Sequence, residues 1–258
     1  MKITILGCGP SQGVPVIGNR WGKCDPTNPR NNRTRPSILV EENGTAILVD
    51  TSPDIRTQFL SCGISHVDAV LFTHLHYDHV GGIGELRTLS FIEKHRIDVF
   101  GTPDVMQSLT RDWRYLFSAD GSHESQLYKP VAEPHLFNYG DNFDIKGIEI
   151  KAFLQDHGIC NTAGFRFGNF AYSTDVVNLS DEAFSILEGI DVWVVDCLRT
   201  EPHPTHAHFE QTLSWINRIK PKRAIFTHMN FQTDYETLKS ECPHGVEPGY
   251  DGMILQIS

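Results

Sequence analysis

Three imidazoles and a carboxylate, His74, His76, Asp78 and His79, fall within six consecutive positions of the run Thr73-His74-Leu75-His76-Tyr77-Asp78-His79-Val80-Gly81-Gly82. Neutral imidazole is the commonest metal ligand, and a neighbouring carboxylate adds charge and affinity for a divalent ion. The apolar stretch Ala69-Val70-Leu71-Phe72 leads into the run and reads as a short buried strand. While the backbone stays extended, His74 and His76 point to one side, because side chains repeat every second residue. Asp78 and His79 come where Gly81 and Gly82 are expected to turn the chain into a helix, so they face a second point nearby. The spacing implies two metals, not one.

The elements that must position such a cluster follow from periodicity and punctuation. Strands are expected at Lys2–Leu6, Ser37–Glu41 and Ala46–Asp50, the last two joined by the hairpin signal Asn43-Gly44. Ser52 as N-cap, Pro53 at the first helical position and Gly63 as the stop frame a helix. A second helix is expected over Ile83–Lys94, and Thr102-Pro103-Asp104 opens a third after the strand Val99-Phe100-Gly101. Ser118–Pro134 has no clear period and reads as a lid, an insertion or a surface loop. Strands resume at Phe143–Ile145, Glu149–Leu154, Thr162–Phe167, Asn169–Ser173, Val192–Val195, Arg223–Phe226 and Met253–Ile257. Helices are expected near Asp181–Leu187, Phe209–Ile219 and Asp234–Ser240. Hairpins mixed with helices in both halves fit an α/β, four-layer αβ/βα sandwich of two packed mixed sheets with helices outside. We read residues 1–258 as a single domain.

Three distant residues share the position of the first cluster, just past an apolar strand. His157 follows Ala152-Phe153-Leu154, Asp175 follows Phe170-Ala171-Tyr172, and His228 follows Ala224-Ile225-Phe226. That common placement makes them candidate ligands. Asp156 and Asp196 also stand at strand ends; they are read as orienting ligand imidazoles or capping backbone, and not as ligands.

Composition bounds the partners. With 22 Lys+Arg against 32 Asp+Glu, the formal net charge is −10, which argues against an extended nucleic-acid surface. No apolar run approaches the ~20 residues of a membrane span, and the N-terminus has no signal-peptide pattern. The six cysteines lack any C-x-x-C pair and read as reduced thiols, so a cytoplasmic location is expected. Arg20, Lys23, Arg30, Arg33 and Arg35 form one locally basic segment. It is either a rim attracting a phosphorylated substrate or a solvated, salt-bridged loop.

The motif Thr73–His79 resembles the H-x-H-x-D-H signature of the metallo-β-lactamase superfamily, and the resemblance covers nearly the whole chain. It implies His74, His76 and His157 on one metal, Asp78, His79 and His228 on the other, and Asp175 between them. Within the superfamily the chain is similar to the phosphoribosyl 1,2-cyclic phosphate phosphodiesterases of bacterial phosphonate-utilisation operons. Gly7-Cys8-Gly9-Pro10-Ser11-Gln12-Gly13-Val14-Pro15 resembles their N-terminal glycine loop, His206 their phosphate-contacting histidine, and Tyr250-Asp251-Gly252-Met253 their C-terminal tail. That family often carries a further structural zinc, held by cysteines after the glycine loop and by a histidine. Here only Cys24 remains, and Phe231 replaces the histidine, so no structural zinc is expected.

The resemblance implies two divalent ions, Zn²⁺ or Mn²⁺, and a hydroxide between them that attacks a small cyclic or nucleotide-like phosphodiester. Asp78 and His206 are the expected catalytic side chains, His206 contacting an oxygen or protonating the leaving alkoxide. Ser11 and Gln12 are expected to donate to the phosphate. His208 is read as either a surface histidine or a support to the site, and His66, His95, His123, His135, His203 and His244 as surface residues. Relatives imply a homodimer. Two other functions share the ligand set: ribonuclease Z-type tRNA 3′ processing and thioester or lactone hydrolysis.

Overall fold

A computed structural model describes residues 1–117 and 129–257. The first sheet comprises β1 (Lys2–Gly7), β2 (Ser37–Glu42), β3 (Thr45–Val49), β4 (Ala69–Leu71), β5 (Ile97–Gly101), β6 (Ala132–Leu136) and β14 (Met253–Gln256), in the order β14-β1-β2-β3-β4-β5-β6. The second comprises β7 (Asn142–Ile145), β8 (Ile148–Asp156), β9 (Asn161–Phe167), β10 (Phe170–Ser173), β11 (Val192–Asp196), β12 (Arg223–Thr227) and β13 (Val246–Pro248), in the order β13-β12-β11-β10-β9-β8-β7. Both sheets are mixed: antiparallel hairpins at one side give way to parallel pairs. At the β2–β3 turn, Asn43 and Gly44 have φ of 51° and 87°, the left-handed pair that a two-residue hairpin demands.

The strands β1 to β4 of the first sheet are buried on both faces over most of their length, and their alternation assigns the layers. Ile38, Val40, Ile47 and Val49 join Ala152, Phe165, Val194 and Phe226 of the second sheet in one core. Their neighbours Leu39 and Leu48 face the other way, onto α1 (Ile55–Cys62), α3 (Leu86–Glu93, following a short α2 at Tyr77–Val80) and α4 (Pro103–Asp112, followed by α5 at Arg114–Phe117). Beyond the second sheet, α6 (Asp181–Leu187), α7 (Phe209–Ile219) and α8 (Tyr235–Glu241) place Phe184, Trp215 and Leu238 on the core. The expected four layers are present.

Several local expectations change. The first helix starts at Ile55 with Asp54 at its N-cap, not at Ser52 and Pro53; Ser52 instead closes a turn, its carbonyl accepting from Ile55 N at 3.0 Å. The expected Ile83–Lys94 helix is a 3₁₀ turn over Ile83–Glu85 followed by α3. β6 and β13 were not expected. Pro134 and Pro248 lower their strand signal, and both strands lie at sheet edges, where a missing N–H is tolerated. Residues 118–128 of the aperiodic stretch lie outside the described residues, as does His123.

Strand direction builds the site. β10, β11 and β12 run parallel, and β9 is antiparallel to both β8 and β10. Thus β8, β10, β11 and β12 all end at one edge of the second sheet. Ala163 N donates to Thr73 O at 3.0 Å, stitching that edge to the segment that follows β4.

Candidate metal centre

Every residue of the expected ligand set reaches this common edge. His74, His76, His157 and Asp175 offer donor atoms within 4.8 Å of one another, and so do Asp78, His79, Asp175 and His228. Asp175 belongs to both groups, and its two oxygens divide between them. Its Oδ1 lies 3.9 Å from His74 Nε2 and 3.7 Å from His157 Nε2. Its Oδ2 lies 3.0 Å from His79 Nε2 and 3.4 Å from His228 Nε2. Asp78 Oδ2 completes the second group at 3.3 Å from His79 Nε2 and 3.5 Å from His228 Nε2.

The residues present fit divalent cation binding. The Nε2 atoms of His74, His79 and His228 are buried without a hydrogen-bond partner, a costly state for a polar atom unless something else occupies the point they face. Their opposite nitrogens are mostly engaged. His79 Nδ1 meets Asp50 Oδ2 at 2.6 Å, His157 Nδ1 donates to Thr205 O at 2.7 Å, and His74 Nδ1 meets Thr73 Oγ1 at 2.9 Å. Partners on Nδ1 leave the Nε2 lone pairs aimed inward, as a histidine ligand requires. Nitrogen and carboxylate donors of this kind suit Zn²⁺ and Mn²⁺ alike.

Electrostatics points the same way. Burial disfavours charge on His79, yet Asp175, Asp78 and Asp50 around it raise its proton affinity well above the usual histidine range. Burial also works against ionised Asp175, but His228 and His79 hold it well below the ordinary carboxylate range. His74, buried among other rings with His79 nearest in effect, is held well below its usual value. A pocket that concentrates carboxylates and imidazoles around one point draws in positive charge, which a divalent cation can supply.

Backbone conformation contributes what the motif does not display. Asp50, Asp175 and His228 have φ of 63°, 54° and 61°, a left-handed region that non-glycine residues seldom occupy outside sites that need it. Gly81 and Gly82 do not turn the chain into a helix as expected, because α2 has already begun at Tyr77. Gly82 is required by close approach: a Cβ there would sit 2.1 Å from Ser52 O.

His206 joins the cluster from the β11–α7 connection, its Nε2 3.9 Å from Asp175 Oδ1 and its ring 4.6 Å from that of His228. Its Nδ1 meets Asp196 Oδ2 at 2.8 Å. Burial opposes a charge on His206, but Asp196, then Asp175 and Asp78, outweigh it and lift the ring to about 9. Asp196 therefore orients His206, whereas Asp156 caps backbone through Gly158 N at 2.7 Å.

Other expectations fare differently. Met229 N donates to Cys8 O at 3.0 Å, which sets the glycine loop beside the strand end carrying His228. Ser11 and Gln12 are exposed on that loop and, among the described residues, make no hydrogen bond to the cluster. His208 caps α7 and pairs with Gln211 Oε1 at 3.2 Å, away from the ligands. The basic segment is not a uniform rim: Arg33 is buried, Arg35 pairs with Asp54 at 3.1 Å, and Arg30 stacks on Tyr235 and Tyr250. Cys24 Sγ donates to Thr233 O at 3.4 Å, and Phe231 packs on Gly22. Sequence reasoning passed over two residues. Asp50 is one, although it stands just past an apolar strand as Asp175 does. His203 is the other; it was expected on the surface and lies with its ring 5.3 Å from that of His206.

A two-sheet sandwich with a His/Asp cluster at one edge defines the metal-dependent hydrolases of the metallo-β-lactamase type. The family model for the beta-lactamase superfamily domain matches residues 45–229. A solved diphosphatase of the PhnP family is 30% identical, with a TM-score of 0.88, over 100% of this chain and 98% of its own. The chain belongs to the metallo-β-lactamase superfamily, close to the PhnP branch. It is also 31% identical, over 98% of its length, to an octanoyltransferase of Porphyromonas gingivalis, of which it spans 51%. Ribonuclease Z of a Mycobacterium species is 28% identical over 64% of this chain and 56% of its own length. The chain thus spans about half the length of the curated relatives it matches. No helix among the described residues is long and apolar enough to cross a membrane.

Proposed function

We propose that the protein is a dinuclear metal-dependent phosphodiesterase acting on a small phosphorylated or nucleotide-like substrate. The observation that carries this reading is the pairing of His206 with Asp196 beside Asp175. A ring held protonated next to a ligand cluster is a proton donor placed at a reaction centre.

The seven residues His74, His76, Asp78, His79, His157, Asp175 and His228 would hold the cations, with Asp175 shared between them. Divalent ions in such a site activate water and neutralise the charge that grows on a phosphoryl oxygen. Asp50, Thr73 and the Thr205 carbonyl keep His79, His74 and His157 in the required tautomers. As water adds to phosphorus and the ester P–O bond breaks, His206 gives its Nε2 proton to the leaving oxygen. Asp196 stabilises the positive ring until that moment and fixes its direction.

Metal-loaded protein should hydrolyse bis(p-nitrophenyl) phosphate with Mn²⁺ or Zn²⁺, and Asp175→Ala should lower kcat by on the order of 10³-fold. Normal turnover by that variant would reject the mechanism. A second reading, hydrolysis of an acyl thioester, is favoured by the full-length similarity to half of the octanoyltransferase. Octanoyl thioester and phosphodiester assayed side by side separate the two. Processing of precursor tRNA at low enzyme concentration would instead favour the ribonuclease Z likeness, against the net charge of −10.

A further inference from the structure

His203 has the geometry of a recognition residue. Its Nδ1 accepts from Thr205 N at 3.3 Å, with Thr205 Oγ1 also at 3.3 Å. A ring that accepts a backbone N–H at Nδ1 carries its own hydrogen on Nε2 when neutral. That Nε2–H has no hydrogen-bond partner among the described residues, and the ring is only half-buried. His203 therefore presents a fixed, unused donor.

Its position follows from the rings around it. His206 is in ring contact with His157, His228 and His203, whereas among the described residues His203 is in ring contact with His206 alone. It stands one ring further from Asp175 than the proton donor. The same short segment serves both sides: Thr205 O takes the His157 Nδ1 proton, and Thr205 N fixes His203. Gly158, next after His157, lies against this segment so closely that a Cβ would meet Pro204 O at 2.7 Å. The segment cannot swing without disturbing a ligand.

The turn before it carries a fixed guanidinium. Arg199 donates through Nε to Glu201 O at 3.1 Å and through Nη2 to Pro202 O at 2.7 Å, which pins its guanidinium on the turn leading to His203. Glu201, the acid of that turn, is engaged by its own backbone and the Thr200 hydroxyl, and lies in the field of Lys23 and Arg199. A neutral N–H donor beside a held guanidinium is a setting for an oxyanion.

We propose that His203, backed by Arg199, forms a subsite for a second phosphoryl group on the leaving-group side of the scissile bond. The substrate class is then a diester of pyrophosphate. Water adds to the phosphorus held beside Asp175, the P–O–P bridge breaks, and the departing phosphate leaves with the proton from His206. This deepens the phosphodiesterase reading and rests on it.

The test compares wild type, His203→Ala and His203→Gln as metal-loaded full chains on two substrates. ADP-ribose carries the second phosphoryl group, and bis(p-nitrophenyl) phosphate does not. A lost hydrogen bond to a charged group predicts that His203→Ala raises KM for ADP-ribose about 10-fold more than for the p-nitrophenyl diester. His203→Gln, which keeps an N–H donor, should recover most of that difference. Equal losses on both substrates, or none on either, would overturn the subsite. If wild type hydrolyses neither, the phosphodiesterase reading fails by itself, and calorimetric titration with inorganic pyrophosphate decides the subsite. About 10-fold weaker binding by His203→Ala supports it, and equal affinity rejects it.

Discussion

Two buried polar knots lie at the same end of the molecule and differ in how nearly they are complete. Around Asp175, the Nε2 atoms of His74, His79 and His228 are buried without a hydrogen-bond partner among the described residues, facing carboxylate oxygens at 3.0–3.9 Å. Around Arg33, 1% exposed, the terminal guanidinium nitrogens are saturated and Nε alone of the three lacks a partner among the described residues. Nη2 donates to Thr233 O at 2.8 Å and Asn31 Oδ1 at 3.2 Å, and Nη1 to Asn230 O at 3.1 Å, Thr233 Oγ1 at 3.4 Å and Met229 O at 3.5 Å. The second knot carries its own cation and ties the segment after His228 to the Asn31 loop. The first concentrates carboxylates and lone pairs around a common point. Polar burial alone therefore does not mark a site; polar burial with converging, unused lone pairs does.

The contrast breaks most sharply at Arg33. Arg33→Met removes the cation of this knot and takes its charged donors away from the carbonyls of Met229, Asn230 and Thr233. The expected loss is about 3–5 kcal/mol of unfolding free energy, read from urea denaturation of the metal-free protein. Arg33→Lys should recover only part of it, since one ammonium cannot reach all five acceptors. A change under about 1 kcal/mol would mean that the two knots are not distinguished by completeness.

A smaller effect is expected at the support of the incomplete knot. Asp50 holds His79 Nδ1 at 2.6 Å while its own oxygens accept from Thr73 N and Oγ1, both at 2.8 Å. Burial raises the Asp50 carboxyl, but His79 and Thr73 pull against that rise. Asp50→Asn should weaken metal binding by about 10–100-fold in competition with a chromophoric chelator. Unchanged affinity would remove Asp50 from the centre.

The same two knots show what a sequence displays. His74, His76, Asp78 and His79 are legible because four donors crowd one short run. His157, Asp175 and His228 are legible through a shared position past an apolar strand, and the parallel course of β8, β10 and β12 is why that position has meaning. Asp50 obeys the same rule past β3, so its signal was available. Arg33 was not legible as a buried clamp: in sequence it is one arginine among five basic residues in an exposed-looking loop. Its partners are almost 200 residues away. His203 was hidden for a related reason, because its ring neighbour and its fixed tautomer are properties of a turn and not of a motif. The left-handed φ of Asp50, Asp175 and His228 leaves no trace in residue type, since glycine is what that conformation ordinarily signals.

The finest distinction concerns the ring that joins the incomplete knot without being one of its expected ligands. His206 is lifted to about 9 against its burial, chiefly by Asp196 and then by Asp175 and Asp78. Cations held among those carboxylates act in the opposite direction, so the basic limb of kcat in the loaded enzyme should fall at or below that value. The sign follows from the role: the acid works while protonated, and its protonated fraction drops tenfold for each unit of pH above its pKa. Asp196→Asn keeps a hydrogen-bond acceptor at Oδ1 but removes the charge, so the limb should move to lower pH by roughly one unit. Activity well below the limb should change less than activity at pH 9, because the ring there is protonated in both proteins. A loss of equal size at every pH would show that Asp196 only places the ring, and that the proton comes from elsewhere.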